Sequence, residues 1–351
     1  MKNLNQYILN LTEPARLALK TIDSLLENAS KTLFIVDDNN RMVGSLTDGD
    51  IRRGLLNGLE ISHPISEFMN KDFKYIHKND ENVSLLKALR AAKIQLVPVL
   101  GIDGVIVDII DLTQMRTLLP AAALIMAGGR GERLKPFTDK TPKPMLLVGN
   151  KPIIEHNIDR LIQFGVSDIY ISVKYLQEQI MDYFGDGSGK GVNIKYIIEE
   201  EPLGTIGALS LIEKANYDHL IVMNSDVLTN VDFEDFFEFY QKNNADMVVA
   251  SIPYVVNVPY AVLETDQHSV VSFTEKPTYT YYSNGGIYIM KFALKNILNY
   301  NSFFNATDLM DFVIESEGYR LVHYPLLCYW LDIGKHHDYV KAQEDIKYLN
   351  I

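Results

Sequence analysis

Among 351 residues there is a single cysteine, Cys328, which excludes an intrachain disulfide and a thiolate cluster around a metal. Hydrophobic residues make up 47% of the chain, yet none of its apolar stretches reaches 18 residues, so no membrane-spanning helix is expected. The opening MKNLNQYILN has neither a continuous apolar segment nor a small-residue cleavage site, and is not expected to act as a signal peptide. Cations are scarce: 33 Lys and Arg stand against 45 Asp and Glu, a formal net charge of −12. That balance argues against a nucleic-acid surface, because affinity for a phosphate backbone comes from clustered cations. The expectation is a cytoplasmic protein with no nucleic acid and no membrane as partner. The length gives two domains as the prior.

Against this acidic background one stretch stands out, AAALIMAGGRGERLKPFTDKTPKP from Ala121 to Pro144. An apolar strand pattern runs through Ala127 into Gly128, Gly129 and Gly131, and Arg130, Arg133, Lys135 and Lys143 follow. Glycines let the backbone approach a ligand, and successive N–H groups in such a turn form an anion nest. The added cations suit a triphosphate. The spacing G-G-x-G-x-R is neither the dinucleotide fingerprint nor the P-loop, since no Lys-Ser/Thr closes it. Both NAD binding and ordinary ATPase chemistry are therefore disfavoured.

The first third of the chain repeats. LFIVDDNNRMVGSLTDGDIRRGLL, Leu33 to Leu56, is similar to LVPVLGIDGVIVDIIDLTQMRTLL, Leu96 to Leu119, once a two-residue gap is placed near the turn. Each copy reads as an apolar run, a polar turn, a second apolar run and a helical pattern from Asp50 or Asp111. The amphipathic segments ALKTIDSLLENA and VSLLKALRAAK precede them. Gly44, Thr47 and Asp50 stand in G-x-x-[ST]-x-x-D spacing, and Asp108 is expected where Thr47 stands in the first copy. Thr47 and Asp50 also suit the cap of a helix beginning at Ile51. The repeat resembles a pair of cystathionine β-synthase-type (CBS) repeats, a regulatory module. That resemblance implies a nucleotide whose phosphate meets Thr47 and whose ribose meets Asp50. A carboxylate in the second copy would repel phosphate, so no second site of that kind is expected. Pro120 is the only linker signal, which divides the chain into a regulatory module, 1–119, and a second domain, 120–351.

From Ala121 onward, strand-like runs alternate with helical ones: ALIMAG, PIIEHNIDRLIQFG, DIYISVK, LQEQIMDYFG, NIKYIIEE, GTIGALSLIEKA and HLIVMNSD. Such alternation predicts a largely parallel sheet with helices on both faces and ligands beyond the carboxyl ends of its strands. Asp226 ends one apolar run and Asp332 another. Two such carboxylates suit Mg²⁺, although each could instead cap the following helix. Lys143 lies between two prolines, in a segment expected to be extended. In Glu199 to Thr205, EEEPLGT, a carboxylate can accept both the N1–H and the amine of guanine, and Gly204 would let backbone approach base or ribose.

GGRGERL, TPKPML, EPLGTIGAL, NSDVL, TEKP, NGGIY and YWLDIG occur in the order seen in sugar-phosphate nucleotidylyltransferases, and this resemblance spans about two thirds of the chain. It implies the nucleotide-diphospho-sugar transferase fold, a Rossmann-like α/β/α sandwich of the α/β class. It implies that a sugar 1-phosphate attacks the α-phosphorus of a nucleoside triphosphate and pyrophosphate leaves. Ala127, Gly128, Gly129, Gly131, Arg133, Glu199, Gly204 and Thr205 would bind the nucleotide. Arg133, Lys143 and Asp226 would be catalytic, with Asp226 and Asp332 holding Mg²⁺ as cofactor. Glu275, Lys276, Asn284 and Gly286 would bind the sugar phosphate. Ala261 departs from the family's glycine there, which leaves the sugar less determined than the reaction. The whole arrangement is similar to the glucosamine-1-phosphate guanylyltransferases of legionaminic acid pathways, with GTP as donor and a homo-oligomer as the expected state. Mannose-1-phosphate guanylyltransferases and thymidylyl- or uridylyltransferases are the alternatives. A reading of another class is a non-catalytic, nucleotide-sensing regulatory homologue; retention of Arg133, Lys143, Asp226, Lys276 and Asp332 disfavours it.

Overall fold

The computed structural model describes residues 4–25, 30–77 and 83–349. The chain divides into two compact units, Met1–Leu119 with Gln163–Gly165, and Pro120–Ile162 with Val166–Ile351.

The first unit contains two three-stranded sheets of one design. In the first sheet β1 (Ile8–Asn10) pairs parallel with β2 (Thr32–Val36), and β2 pairs antiparallel with β3 (Met42–Thr47). Helix α1 (Ala15–Ser24) lies between β1 and β2 in sequence, and α2 (Asp48–Leu56) follows β3. Residues 26–29 of the expected first amphipathic segment fall outside the described residues. In the second sheet β4 (Ile76–His77) is parallel to β5 (Leu96–Leu100), which is antiparallel to β6 (Ile106–Asp111); α3 (Val83–Ala91) lies between β4 and β5 in sequence. Both helices bury residues three or four apart, Ala15, Ala18 and Ile22 in α1 and Val83, Leu86 and Leu89 in α3, the spacing of one helical face.

The ladder registers correct the alignment of the two copies. Thr32 pairs with Thr47 and Ile35 with Gly44; Leu96 pairs with Asp111 and Val99 with Asp108. Asp111, not Asp108, therefore stands where Thr47 stands, Asp108 replaces Gly44, and no gap is needed. The helix expected from Asp111 does not form. Asp111 Oδ1 accepts from Thr113 N at 3.0 Å and from Thr113 Oγ1 at 2.6 Å, a local turn that competes with helix. The first copy starts its helix at Asp48 because Thr47 and Asp50 make a reciprocal capping box there.

The second unit is built on a seven-stranded sheet. Its elements are β7 (Ala121–Met126), the short hairpin β8 (Leu147–Val148) and β9 (Lys151–Pro152), α4 (Ile153–Gln163), β10 (Asp168–Val173), α5 (Gln177–Phe184) and β11 (Asn193–Ile198). Next come β12 (His219–Asn224), β13 (Val227–Thr229), α6 (Phe233–Lys242), β14 (Met247–Asn257), β15 (Val262–Asp266), β16 (Ser269–Thr274) and β17 (Thr278–Lys291). The chain ends with α7 (Ala306–Glu315), β18 (Leu321–Pro325), β19 (Trp330–Asp332) and α8 (His336–Asp345). The sheet order is β11-β10-β7-β12-β17-β14-β18. β17 runs antiparallel to both neighbours, and the other pairs are parallel.

From β7 the chain moves to β10 and β11 on one side and returns to β12 on the other. The carboxyl end of β7 is thus a topological switch point, where a crevice opens. Residues Ala121 to Ile125 are fully buried, so the loop that follows leaves from a rigid central strand. GTIGALSLIEKA, expected to be helical, contains only a 3₁₀ segment, Gly207–Leu211. An added Cβ on Gly207 would lie 2.6 Å from Ser302 O, so that segment is shaped by a packed neighbouring backbone. Among the described residues no helix is long and apolar enough to cross a membrane.

Candidate active site

A cleft of about 670 Å³ opens beyond the ends of β7 and β12. Gly128 to Arg133, Lys143, Glu199, Gly204, Thr205 and Asp226 all line it. Ala127 is buried behind the loop and donates its N–H to Ser172 O at 2.9 Å. Gly131 has φ 64°, and an added Cβ would lie 2.8 Å from Lys143 Cβ, so glycine is required both for conformation and for space. Thr138 Oγ1 donates to Gly131 O at 2.9 Å. At the loop tip the Arg130 guanidinium lies 5.1 Å from the centroid of the Tyr175 ring. The Tyr175 hydroxyl reaches Thr138 O and Asp139 O, both at 3.1 Å, tying the loop to the segment that leads to Lys143.

Lys143 opens a one-turn 3₁₀ segment, Lys143–Met145, instead of the expected extended run, with Pro142 before it and Pro144 inside it. Pro144 contributes no N–H, which costs nothing in a first turn. The lysine ammonium bonds Asp226 and stands 4.0 Å from Asp332 Oδ1. The two carboxylates meet because β13 and β19 pair with Val227 opposite Asp332, and Ile333 N donates to Asp226 O at 3.1 Å. Neither aspartate caps a helix: Asp232 caps α6 and Asp338 accepts from Lys335 N before α8. Burial and the neighbouring Asp226 push Asp332 above the ordinary carboxylate value, against the pull of Lys143 and Arg133. This hard-oxygen pair, reachable by one cation, fits a divalent ion that takes few protein carboxylates and completes its shell with phosphate oxygens and water.

Glu199 lines the cleft, but its carboxylate is already engaged by protein. It is buried, its carboxylate accepts from Ser172 Oγ, and Leu203 N donates to it at 3.0 Å. An added Cβ on Gly128 would sit 2.9 Å from Glu199 Oε1, so this carboxylate braces the glycine loop. Gly204, at φ 79°, faces protein backbone: its Cβ position lies 2.7 Å from Phe304 O. Thr205 Oγ1 accepts from Ala306 N at 2.8 Å, at the start of α7.

A second cavity of about 350 Å³ shares Thr205 and Asn224 with the cleft and is lined by Asn284, Gly286, Trp330 and Asp332. Asn284 Oδ1 accepts from Gly286 N at 2.9 Å, and its amide donates to Tyr288 at 2.8 Å. Trp330 donates to Gly285 O at 2.8 Å. Glu275 and Lys276 line neither cavity; both are exposed, and their charged ends lie 4.0 Å apart. Asn224, Lys174, Phe303 and Trp330 line these cavities without having been singled out in the sequence. Trp330 and Asn224 sit inside motifs that were visible, whereas Lys174 and Phe303 carry no local signal.

In the first unit, Thr47 lines a cleft of about 400 Å³ together with Asn70, Phe73, Lys74 and Lys93. Asp50 does not line it; its carboxylate accepts from Thr47 N at 2.8 Å and Thr47 Oγ1 at 2.6 Å, and Arg53 pairs with it.

Residues 122–348 match the family model described as nucleotidyl transferase. The chain is 33% identical over 234 residues to a mannose-1-phosphate guanyltransferase of Yarrowia lipolytica, a match spanning 62% of each protein. It is 32% identical over 230 residues to a D-glycero-alpha-D-manno-heptose 1-phosphate guanylyltransferase of Aneurinibacillus thermoaerophilus, spanning 64% of this chain and 98% of that one. The chain thus covers about three fifths of the yeast relative's length and nearly all of the bacterial relative's. HddC from Yersinia pseudotuberculosis, solved with GMP-PN, matches with TM-score 0.50 and 28% identity over 64% of this chain and 99% of its own. A Bacillus anthracis protein described as a glucose-1-phosphate thymidylyltransferase, solved with sucrose, matches with TM-score 0.54 over 66% of this chain and 97% of its own. At its 24% identity that likeness speaks for the fold alone.

Proposed function

Since this chain belongs to the nucleotidyl transferase family, we propose that it transfers a guanylyl group from GTP to a hexose 1-phosphate, releasing pyrophosphate. The observation that carries the reading is Lys143 bonded to Asp226 beside Asp332, at the mouth of a glycine-loop cleft. Both reactants are anionic, so alignment and charge neutralisation are the chemical problem. The N–H groups of Gly128 to Gly131 and the Arg133 guanidinium receive the β- and γ-phosphates, where charge grows as pyrophosphate departs. Lys143 neutralises the α-phosphoryl oxygens as the sugar phosphate oxygen approaches. No proton has to leave that nucleophile, so no general base is assigned. Asp226 and Asp332 would hold Mg²⁺, which supplies Lewis-acid polarisation of phosphate oxygens when bound.

The sugar site extends from the cleft into the cavity of Asn284, Gly286 and Trp330. Glu275 and Lys276 would join it only when the strand end that carries them is brought to the substrate. Glucosamine 1-phosphate, for a GDP-sugar of the legionaminic acid type, is our first choice of acceptor. Mannose 1-phosphate is the second, favoured by the names of the yeast and other relatives. For the base, with the Glu199 carboxylate engaged by Ser172 and Leu203, we assign the Pro202 to Thr205 wall, Lys174 and Phe303, all of which line the cleft. We further propose that the first unit is a CBS pair whose cleft at Thr47 takes a regulatory nucleotide. Its aromatic Phe73 and the cations Lys74 and Lys93 suit a base and a phosphate. Asp50 supports Thr47 in that reading and does not meet ribose.

The test is pyrophosphate release with each of the four NTPs against glucosamine, mannose, glucose and heptose 1-phosphates, with and without Mg²⁺. GTP with one of these acceptors should dominate. Equal, background-level rates for every pair would remove the enzymatic reading and leave the nucleotide-sensing one, which calorimetry of the full chain with nucleotides would then address.

A further inference from the structure

In the glycine loop, Gly128 to Gly131, Arg130 is the only residue with a side chain, and it lines the nucleotide cleft. Other cations of that cleft are already engaged. Lys143 bonds Asp226, and the Lys174 ammonium reaches the carbonyl oxygens of Glu200 and, at 3.5 Å, Glu199. The one carboxylate within reach of Arg130 among the described residues is that of Glu132, at 4.0 Å, with side chains 64% and 65% exposed. An ion pair so open to water holds a side chain weakly. Among the described residues no hydrogen bond engages the Arg130 guanidinium.

What holds it is a ring. The guanidinium carbon lies over Tyr175, 5.1 Å from the ring centroid. Tyr175 is itself fixed, because its hydroxyl donates to Thr138 O and Asp139 O, both at 3.1 Å. A cation over an aromatic face is attracted by the ring quadrupole. That contact consumes none of the guanidinium's N–H donors, whereas a carboxylate partner would occupy their fork. Arg130 is thus placed on the anion loop with its donors still open, the state suited to bidentate contact with phosphate.

The two ends of the cleft differ in their charged groups. Lys143 marks the reacting end through Asp226 and Asp332, and Arg130 has neither aspartate as a partner. Resting on the guanylyltransferase reading above, we propose that Arg130 is a further catalytic residue, gripping the terminal phosphate of the triphosphate and of the departing pyrophosphate, with Tyr175 as its positioning residue. In the transfer the bond from the α-phosphorus to its bridging oxygen breaks, and the electron pair stays on pyrophosphate. The sugar phosphate oxygen forms the new bond to phosphorus. Arg130 neutralises charge that grows on the leaving group and exchanges no proton.

Calorimetry of the full chain with Mg²⁺ and GTP, GMP or pyrophosphate tests this, since GMP lacks the terminal phosphate and pyrophosphate lacks the base. Arg130→Gln should weaken pyrophosphate and GTP about 10- to 100-fold, the range of charge-assisted hydrogen bonds, and GMP less than about twofold. Tyr175→Leu should also weaken pyrophosphate, and Tyr175→Phe, which keeps the ring, should weaken it less. Adding Tyr175→Leu to Arg130→Gln should cost nothing further, because the two residues act as one unit. Unchanged pyrophosphate affinity in Arg130→Gln, or equal losses of GMP and GTP, would overturn the role of Arg130. Additive losses in the double variant would overturn that of Tyr175. A wild type that binds none of the three ligands would instead remove the guanylyltransferase reading, and this inference with it.

Discussion

Removing the Lys143 ammonium leaves two facing carboxylates with no cation between them, and the consequences separate into stability and rate. Lys143 bonds Asp226 and lies 4.0 Å from Asp332 Oδ1. At that separation a unit pair is worth about 4 kcal/mol at an effective dielectric of 20 and about 1 kcal/mol in water. The lysine and Asp226 side chains are 13% and 23% exposed but Asp332 is 50% exposed, so the lower end of that range applies. For Lys143→Ala we expect about 1–2 kcal/mol of destabilisation in metal-free buffer, after discounting for screening at Asp332. In a domain of this size that lowers the melting temperature by about 2–8 °C. Because the freed carboxylates then bind a divalent ion without competition from the ammonium, Mg²⁺ should raise the melting temperature of the variant more than that of wild type. Turnover does not recover with the metal: kcat should remain about 10²–10³ lower, the loss expected for one transition-state charge stabiliser. Differential scanning fluorimetry with a Mg²⁺ titration, run beside steady-state kinetics, reads both. An unchanged melting temperature, an Mg²⁺ response equal to wild type, and kcat within about threefold would together refute the assignment of Lys143 to the reacting centre.

Gly128→Ala should weaken GTP binding and lower the melting temperature, because its Cβ would meet Glu199 Oε1 at 2.9 Å, on a carboxylate already held by Ser172 and Leu203. Gly129→Ala, whose Cβ meets nothing within 4 Å, should melt like wild type, so equal melting of the two variants would contradict the bracing role of Glu199. Lys276→Ala should raise the KM for the sugar phosphate more than that for GTP, and an unchanged sugar KM would remove Lys276 from the acceptor site. Burial works to raise the Asp159 pKa, but hydrogen bonds from Lys151 and Lys190 outweigh it and hold the group below its ordinary value. Its stabilising contribution is therefore present above the unfolded-state value of about 3.9 and lost as pH falls through the lower folded one. Thermal melts from neutral to strongly acidic pH should show Asp159→Asn losing less stability than wild type over that window, and parallel curves would disprove the coupling.

What was legible in the sequence was local. The glycine loop could be read because strand, glycines and cations are contiguous from Ala121 to Lys143, and the switch point at β7 placed them at a crevice. Asp226 and Asp332 could each be read as strand-end carboxylates, but their meeting depends on the β13–β19 register, which no spacing encodes. The direction of β17 was hidden for the same reason: residue alternation reports a strand but not which way it runs. The second repeat misled because Asp111 and Thr113 make a side-chain turn where a helix pattern continues on paper. Glu199 shows another limit: the sequence offers it as a carboxylate for the base, and it does line the cleft, but no spacing encodes that its N–H reaches Val173 O at 3.0 Å and that its carboxylate turns inward to Ser172.

The PLGT motif joins the legible and the illegible parts of the site. Gly204 and Thr205 were expected to face the nucleotide, and both line the cleft, but their immediate partners are protein. Phe304 N donates to Leu203 O at 2.9 Å, Ile206 N to Phe304 O at 3.2 Å, and Ala306 N to Thr205 Oγ1 at 2.8 Å. With only hydrogen at Gly204, the two segments approach closely enough to close this ladder. Its effect is to fix Phe303, 62% exposed, in the cleft wall beside Pro202 and Leu203. An exposed aromatic held on a rigid backbone presents a flat apolar face at little entropic cost, which is what a base or a sugar ring can pack against. The motif that the sequence displays therefore serves in part to position a residue that the sequence does not announce.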